Sequence, residues 1–342
     1  MATKKIAIYG AYGHTARFII ARLLQRGWQP ILCGRDASKL NALAKEYPTL
    51  ETRAAHIDNP ASLDKAFEDA LLVVNCAGPF LDTAFPIIES ALRLSIHYID
   101  ISAEQKSVLD IFETFADKAA KENIIVLPAL AFYGGLPDLL STVAVKNWEH
   151  VDDITIGIAL SSWQPTLGTR LTGQRNHYPR MIYVNGRLEP KQENYPEKYW
   201  NFPKPLGSMK MVALPFSEII TISRHINADN VFTYLSLNSL EDVRNKELPP
   251  PSAVDERGRS SQQFCVEVIA TKGDQKRIAS ATGMDIYAVT SPLVVEAIER
   301  IANGKYSNAG VKTAGQIFDA EDFIKSLSPE DVLFSLPNSR IR

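Results

Sequence analysis

The stretch Lys4–Arg17, KKIAIYGAYGHTAR, decides the fold that this sequence predicts. Its apolar run, 6–9, is typical of a buried parallel strand. A turn through Gly10 and Gly13 follows, and then an apolar stripe at helical spacing that ends at Gly27. Strand, glycine-rich turn and helix in this order are the context in which a glycine motif indicates a dinucleotide site.

The motif has the spacing G-x-x-G-x-x-A. Gly10 permits a tight turn, Gly13 lets a pyrophosphate approach the backbone, and Ala16 permits close packing of helix on strand. The helix N-terminus offers free N–H groups and the positive end of the helix dipole. The alternative is an ordinary strand-to-helix turn that binds nothing. We predict that five residues of this turn bind the cofactor: Gly10, Tyr12, Gly13, His14 and Thr15.

The end of the predicted second strand, 30–34, decides which cofactor is favoured. An NAD-binding domain places an acidic residue there to hold the ribose 2′-hydroxyl. This sequence has Arg35 first, followed by Ser38 and Lys39, and these groups suit a 2′-phosphate. Asp36 does not fit that pattern and can instead cap the following helix. We therefore favour NADP over NAD, with a solvated loop of ordinary surface charges as the alternative.

Two later strand ends add candidates for contact with the cofactor. Asp58 ends the predicted third strand, 52–58, and can lie beside the adenine, although an ordinary loop carboxylate is equally consistent. The apolar fourth strand, 71–75, ends in small residues that let a dinucleotide lie against the backbone. The candidates at that end are Asn75, Ala77, Gly78 and Pro79.

Strands and helices alternate up to about residue 140, which predicts an α/β fold with a doubly wound parallel (Rossmann) sheet. The second half is richer in strands, which indicates a second, α+β domain. Residues 185–215 hold many prolines and aromatic residues with little periodicity. We expect a long loop there that serves as a lid or an oligomer contact, so a homodimer stays open.

Composition narrows the class of protein. The 37 basic and 39 acidic side chains nearly balance, so we expect no nucleic-acid partner. No apolar run approaches the length of a membrane span, and the early first strand leaves no room for a signal peptide. Cys33, Cys76 and Cys265 are too scattered for a disulfide framework or a zinc site. We expect no metal site and a reducing, cytoplasmic setting.

The chain resembles the saccharopine dehydrogenase-like family, in its short form related to the bacterial trans-acting enoyl reductases. The resemblance is good over the first 140 residues, thin in the middle and moderate in the tail. It implies NADP binding and C-terminal helices that pack back on the nucleotide domain. The segments that carry it are 10–16, 33–35, 73–80, 98–104, 128–138, 168–169 and 310–313.

With this resemblance we predict two domains. An NADP-binding Rossmann domain comprises residues 1–145 and 286–342. An α+β domain for substrate binding or oligomerisation comprises residues 146–285. The apolar stripe of the last long helix, which includes Val294, Val295 and Ile298, is expected to pack on the first domain.

Groups that react with a substrate are expected at the carboxyl ends of the strands and on the facing domain. Asp100 can manage a proton or cap the following helix. Tyr133 can donate a proton or serve only in packing. Arg170 and Arg175 lie close enough in sequence to clamp a carboxylate, or they form a solvated basic face. These four residues are the catalytic candidates.

These observations predict an NADP-dependent oxidoreductase. It transfers a hydride to or from a C=N, C=O or C=C bond of a small metabolite, and the protein mainly supplies orientation and electrostatics. The alternative is an NADP-binding regulatory or scaffold protein without turnover. A polar cluster on the second domain that faces the nicotinamide would favour the enzyme.

Overall fold

The computed structural model of the protein describes residues 5–337. Two sheets organise it: a parallel sheet formed mainly by the first half of the chain and a mixed sheet formed mainly by the second half. Lys4, the first residue of the deciding stretch, lies outside the described residues. So do the outermost residues of the predicted domain ranges, 1–4 and 338–342.

The first half of the chain alternates strands and helices. Its elements are β1 (Lys5–Tyr9), α1 (His14–Gln25), β2 (Gln29–Gly34), α2 (Ala37–Glu46), β3 (Thr52–Ala54), α3 (Pro60–Phe67), β4 (Ala70–Asn75), α4 (Phe80–Leu94), β5 (His97–Asp100), α5 (Gln105–Lys121), β6 (Ile125–Leu127) and α6 (Gly135–Ala144). The order β6-β5-β4-β1-β2-β3, with every pair parallel, confirms the predicted Rossmann sheet. The third strand is shorter than predicted and does not reach Asp58.

The first strand illustrates why the central positions of this sheet are apolar. Ile6 and Ile8 pack on one face, whereas Ala7 and Tyr9 pack on the other face with Phe67. These four residues are at most 3% exposed, because helices cover both faces of the sheet. The winding direction reverses between β1 and β4, and the carboxyl ends of these strands form a crevice that receives ligands in such sheets.

The second half builds the mixed sheet. Its elements are β7 (Val151–Leu160), α7 (Leu167–Arg175), β8 (Met181–Val184), β9 (Arg187–Pro190), β10 (Lys198–Asn201), β11 (Ser208–Ala213), α8 (Glu218–Ser223), β12 (Ala228–Ser236), α9 (Leu237–Arg244), β13 (Gln263–Lys272) and β14 (Gln275–Met284). The β12–β7 pair is parallel and the β7–β13–β14 run is antiparallel. This arrangement confirms the α+β character of the second half.

The prediction of a long loop at 185–215 is wrong. The segment contains β9, β10 and β11, and the last two form an antiparallel pair on the edge of the mixed sheet. Trp200 of this segment packs on the sheet: its side chain is buried, and a Cβ on Gly157 would lie 2.9 Å from the Trp200 ring. Strands of four to six residues are too short to show a clear alternation in the sequence.

The C-terminal segment contributes one strand to each sheet. Its elements are α10 (Thr290–Ala302), β15 (Gly310–Val311), α11 (Ala314–Ile317), α12 (Ala320–Ser326) and β16 (Val332–Ser335). α10 packs on α1 with Val294, Val295 and Ile298 buried, and β15 pairs with β6. β16, however, pairs with β14 in the mixed sheet, so the range 286–342 is not confined to the first domain. The domain boundaries stay a prediction.

Two further features concern the predicted partners. Within residues 5–337, no helix has the length and apolar character that a bilayer crossing needs. His150, Asp152 and Asp229 bring potential metal ligands together at the surface, where His150 Nε2 lies 3.0 Å from Asp229 Oδ1. These three residues lie outside the cleft described next.

Candidate active site

A cleft of about 1690 Å³ opens at the carboxyl ends of the parallel strands. One wall is formed by the glycine-rich turn and the segments after β2, β4 and β6, and the other by α7, α9 and the segment after β11. The predicted residues that line the cleft are Gly10, Tyr12, Gly13, His14, Thr15, Arg35, Lys39, Ala77, Gly78, Pro79, Tyr133, Arg170 and Arg175. Ser38, Asp58, Asn75 and Asp100 do not line it.

The glycine-rich turn is suited to a pyrophosphate. Gly10 has φ +81°, and a Cβ there would lie 2.9 Å from the backbone nitrogen of Ala77. Gly13 is the N-cap of α1 and has no side chain to bond the N–H groups of the first turn. His14 Nε2 is buried and bonds no atom of the described chain, and burial lowers the pKa of this imidazole. The turn thus presents unsatisfied donors at a helix N-terminus, as an anion site requires.

The opposite end of this wall suits a 2′-phosphate. The Tyr12 ring lies against Gly34, where a Cβ would come within 2.7 Å of it. Lys39 Nζ lies 5.5 Å from the centre of the same ring, and the exposed Arg35 follows directly at the end of β2. Asp36 accepts a hydrogen bond from the Lys39 backbone at 3.0 Å and caps α2, as the alternative interpretation held. Its carboxylate is therefore directed to the helix.

Three predicted cofactor residues lie outside the cleft wall. Ser38 is exposed on α2, and Asp58 is exposed beyond the short β3, whereas Ile57 lines the cleft. Asn75 is fully buried, accepts a hydrogen bond from the Ala77 backbone at 3.0 Å and donates to Thr83 at 3.0 Å. Asn75 therefore supports the segment after β4 from the side that faces away from the cleft.

Asp100 also lies behind the wall. Its Oδ1 accepts from the backbone N–H groups of Ser102 and Ala129, at 2.9 and 2.8 Å, and its Oδ2 accepts from the Tyr98 hydroxyl at 2.9 Å. Burial raises the pKa of Asp100 to about 6, and the two backbone donors oppose that shift. With both oxygens engaged and no exposure to the cleft, Asp100 joins the ends of β5 and β6 and has no free atom for a substrate proton.

Glu104 is a buried carboxylate that lines the cleft. It is 1% exposed and accepts hydrogen bonds from the backbone of Phe80 at 2.7 Å and of Leu81 at 3.3 Å. Burial raises the pKa of Glu104 to about 7. Its position caps the N-terminus of α4, where the positive end of the helix dipole favours a carboxylate.

The two predicted arginines line the cleft with their guanidinium groups already engaged. Arg170 Nη2 donates to the carbonyl groups of Asn245 and Leu248, at 3.1 and 2.9 Å. Arg175 Nε donates to Asp82 at 3.0 Å in an ion pair that joins α7 to α4. Both arginines therefore hold α7 in place across the cleft, and the geometry does not favour a clamp on a substrate.

Sequence reasoning missed Arg180, which lies deeper in the cleft. Its guanidinium donates to the Pro215 carbonyl at 2.6 Å and lies 5.0 Å from the centre of the Phe216 ring. Burial lowers the pKa of Arg180, and Glu218 opposes that shift. No carboxylate within residues 5–337 forms a direct ion pair with it. In the sequence Arg180 follows Arg175 by five residues, and no motif marks it as a candidate.

Tyr133 lies beside Arg180. Its ring stacks on Phe216 at 4.1 Å between centres and lies 5.7 Å from the Trp163 ring. The hydroxyl is buried and has no hydrogen-bond partner in the described structure. Burial raises the pKa of Tyr133 well above its usual value, with a smaller opposing effect from Arg180. Tyr133 is thus a protonated hydroxyl with no partner in the wall of the cleft.

The Rossmann sheet, the glycine-rich turn and the basic pocket at the end of β2 define a dinucleotide-binding protein with a second domain across the cleft. Residues 6–127 match the family model described as the saccharopine dehydrogenase NADP binding domain. Over these residues the chain is similar to the saccharopine dehydrogenase-like family, and the match supports NADP as the cofactor.

Known proteins extend this comparison. The saccharopine dehydrogenase-like oxidoreductase of Bos taurus is 26% identical over 169 residues, and that of Homo sapiens is 27% identical over the same length. Each match covers 43% of this chain and 39% of the relative, so the chain spans less than half the length of these relatives. Apo histidine-tagged saccharopine dehydrogenase (L-Glu forming) from Saccharomyces cerevisiae has the same fold. Its TM-score is 0.70 at 11% identity, over 97% of this chain and 99% of that one.

Proposed function

We propose that the protein is an NADP-dependent oxidoreductase that transfers a hydride to or from a C=N, C=O or C=C bond of a small metabolite. The observation that carries the proposal is the Tyr133 hydroxyl, which is buried in the wall of the cleft without a partner. A buried polar group of this kind destabilises a protein by about 1–3 kcal/mol unless something bonds it. A substrate heteroatom is a suitable partner.

The chemistry is divided between the cofactor and the chain. NADPH, when bound, would supply the hydride, and the residues of the glycine-rich turn together with Arg35 and Lys39 would hold its phosphates. Tyr133 supplies the proton, because its hydroxyl is protonated at neutral pH and lies in the wall of the cleft without a partner. During reduction, Tyr133 would give its hydroxyl proton to one atom of the double bond, and a proton from solvent would later restore the hydroxyl.

The substrate is held by Arg180 in this proposal. Arg180 lines the cleft beside Tyr133, since both contact the Phe216 ring, and it has no direct carboxylate partner in the described chain. An anionic group of the substrate can therefore engage it. Arg170 and Arg175 are left to fix α7, and Asp100 to fix the strand ends. This assignment replaces the predicted clamp and the predicted proton role of Asp100.

The test is Tyr133→Phe, which removes one oxygen and keeps the ring stack. A panel of carbonyl, imine and conjugated alkene compounds is screened for NADPH oxidation, and the variant is then compared with the native protein. We expect kcat to fall by about 10²- to 10⁴-fold, since this is the usual contribution of a positioned acid, while NADPH affinity is unchanged. Tyr183→Phe, on β8 outside the cleft, is the matched control.

Normal turnover by Tyr133→Phe would refute the assignment of the proton donor. NADPH binding with no turnover of any compound in the panel would favour the alternative, a regulatory or scaffold protein. The names of the relatives, which describe oxidoreductases, favour the enzyme. The cytoplasmic location and a homodimer stay predictions.

A further inference from the structure

The helix α7 has an unusual surface. None of its residues is buried, and Leu167 and Leu171 are 68% and 40% exposed. A spacing of four residues places both leucines on the same face of the helix. Both leucines line the cleft. Single exposed leucines are ordinary, but a pair inside a ligand cleft indicates an apolar ligand.

The neighbouring helix continues this apolar surface. Leu240 and Val243 of α9 line the same cleft and are partly buried against the core. The hydrogen bonds from Arg170 to the carbonyl groups after α9 hold the two helices side by side. Together Leu167, Leu171, Leu240 and Val243 form what we call the α7–α9 groove.

The α7–α9 groove leads to the reaction end of the cleft. The Trp163 backbone donates to Asp242 of α9 at 2.8 Å, and the Trp163 ring lies 5.7 Å from that of Tyr133. Arg180 lines the cleft where this groove meets the reaction end. The positive charge of Arg244 is close enough to lower the pKa of Arg180 further. An apolar groove therefore ends beside two cations and a free hydroxyl.

We propose that the substrate is an aliphatic anion whose chain lies in the α7–α9 groove and whose charged group is held by Arg180. The identity of the reacting end rests on the proposed function, whereas the groove rests on the exposed leucines alone. The positive charge of Arg180 is complementary to the anionic group of such a molecule, and the apolar surface of the groove is complementary to its chain. A chain that covers the leucines removes their apolar surface from water, which favours binding in proportion to its length.

The experiment measures calorimetric binding of butanoate, octanoate and dodecanoate to the full chain saturated with NADP⁺. Each added CH₂ is expected to tighten binding by about fourfold until the groove is filled, from a transfer free energy of ~0.8 kcal/mol. Equal affinities for the three acids would overturn the proposal. The same titration is repeated without NADP⁺. Dodecanoate binding that is present without NADP⁺ and lost in the saturated chain would also overturn the proposal, because the leucines would then cover the cofactor.

Variants locate the site without relying on turnover. The double variant Leu167→Ser, Leu171→Ser should weaken dodecanoate binding by at least about tenfold and leave NADP⁺ binding unchanged, since two apolar contacts are lost. Leu333→Ser, on β16 outside the cleft and 59% exposed, is the control and should bind as the native protein does. An unchanged double variant would refute the groove. Dependence on chain length without hydride transfer to any compound would uphold the groove and refute the proposed function.

Discussion

The two ends of the cleft are built in different ways. The cofactor end is made of backbone: a glycine-rich turn, a helix N-terminus without a side-chain cap, and strand ends. The substrate end is made of side chains that meet from distant parts of the chain, such as Tyr133, Phe216 and Arg180. The first end therefore selects a ligand by the space and the donors of its backbone, whereas the second end is proposed to select it by the functional groups of its side chains. Changes at the two ends should therefore separate binding of NADP from turnover.

The largest effect is expected for Gly10→Ala. The new Cβ would lie 2.9 Å from the backbone of Ala77, and the residue would keep a φ of +81°. Strain and overpacking together should lower the free energy of unfolding by roughly 2–5 kcal/mol and abolish measurable NADPH binding. Thermal unfolding and a fluorescence titration check both effects.

Gly27→Ala is the matched control for Gly10→Ala. Gly27 has nearly the same φ, +78°, but nothing lies within 4 Å of its Cβ position. The free energy of unfolding of Gly27→Ala should therefore fall by only about 1–2 kcal/mol from backbone strain, and the variant should bind NADPH normally. Equal behaviour of the two variants would contradict the claim that close packing of the turn on the Ala77 segment forms the phosphate site.

Arg35→Ala should have the next largest effect, confined to one cofactor. Loss of a charge-assisted contact to the 2′-phosphate should weaken NADPH binding by about 10- to 150-fold and leave NADH binding unchanged. Arg17→Ala, on α1 and paired with Glu46 outside the cleft wall, is the control. A parallel loss for both cofactors would show that Arg35 acts on the fold of the loop and not on the 2′-phosphate.

Much of the cofactor end was predictable because its signals are local. The strand, the glycine positions and Arg35 lie within about thirty residues of one another, and each follows from backbone geometry at one strand end. Even there, the structure places Asp58 and Ser38 outside the cleft wall, since the length of β3 and the direction of a side chain on α2 depend on packing. The family model supports NADP, while individual site residues stay proposals.

The substrate end was less predictable because its partners are distant in sequence. Arg170 and Arg175 looked free, but their acceptors come from residues 245–248 and from Asp82. Arg180 stood alone in sequence and meets Phe216 only through folding of the mixed sheet. The strands at 187–213 were missed for the same reason, because short edge strands owe their order to neighbours and not to periodicity.

The effects of three arginine variants on KM distinguish an arginine that holds the substrate from arginines that hold α7. Arg180→Met should raise KM by about tenfold, because it removes a charge-assisted contact that the substrate makes. Arg170→Ala and Arg175→Ala should change KM by less than about threefold, since surface and backbone contacts of this kind contribute little. Steady-state kinetics with the best compound of the panel provide the measurement. A larger effect for Arg175→Ala than for Arg180→Met would restore the original clamp.

The smallest effect concerns pH. The pKa of Glu104 is raised to about 7 by burial, above its unfolded value of roughly 4.3. Between these values the folded protein holds a proton that the unfolded chain releases, so this group's contribution to stability falls as pH rises from about 4 to about 7. Glu104→Gln should remove that contribution, so the native protein should lose roughly 1–3 kcal/mol relative to the variant over this window.

Urea unfolding at several pH values measures the effect of Glu104. Glu122→Gln, exposed at the end of α5, is the control and should follow the native protein throughout. A constant difference in the free energy of unfolding between the Glu104 variant and the native protein at all pH values would contradict a raised pKa at this position.

A crystal structure of the protein with NADP⁺ bound tests most directly whether the cleft is divided into a cofactor end and a substrate end. We expect the pyrophosphate at the glycine-rich turn, the 2′-phosphate against Arg35, and the nicotinamide in the part of the cleft that Tyr133 and Arg180 line. A 2′-phosphate in solvent away from Arg35, or a nicotinamide ring that is separated from Tyr133 by protein, would contradict the division of the cleft into a cofactor end and a substrate end.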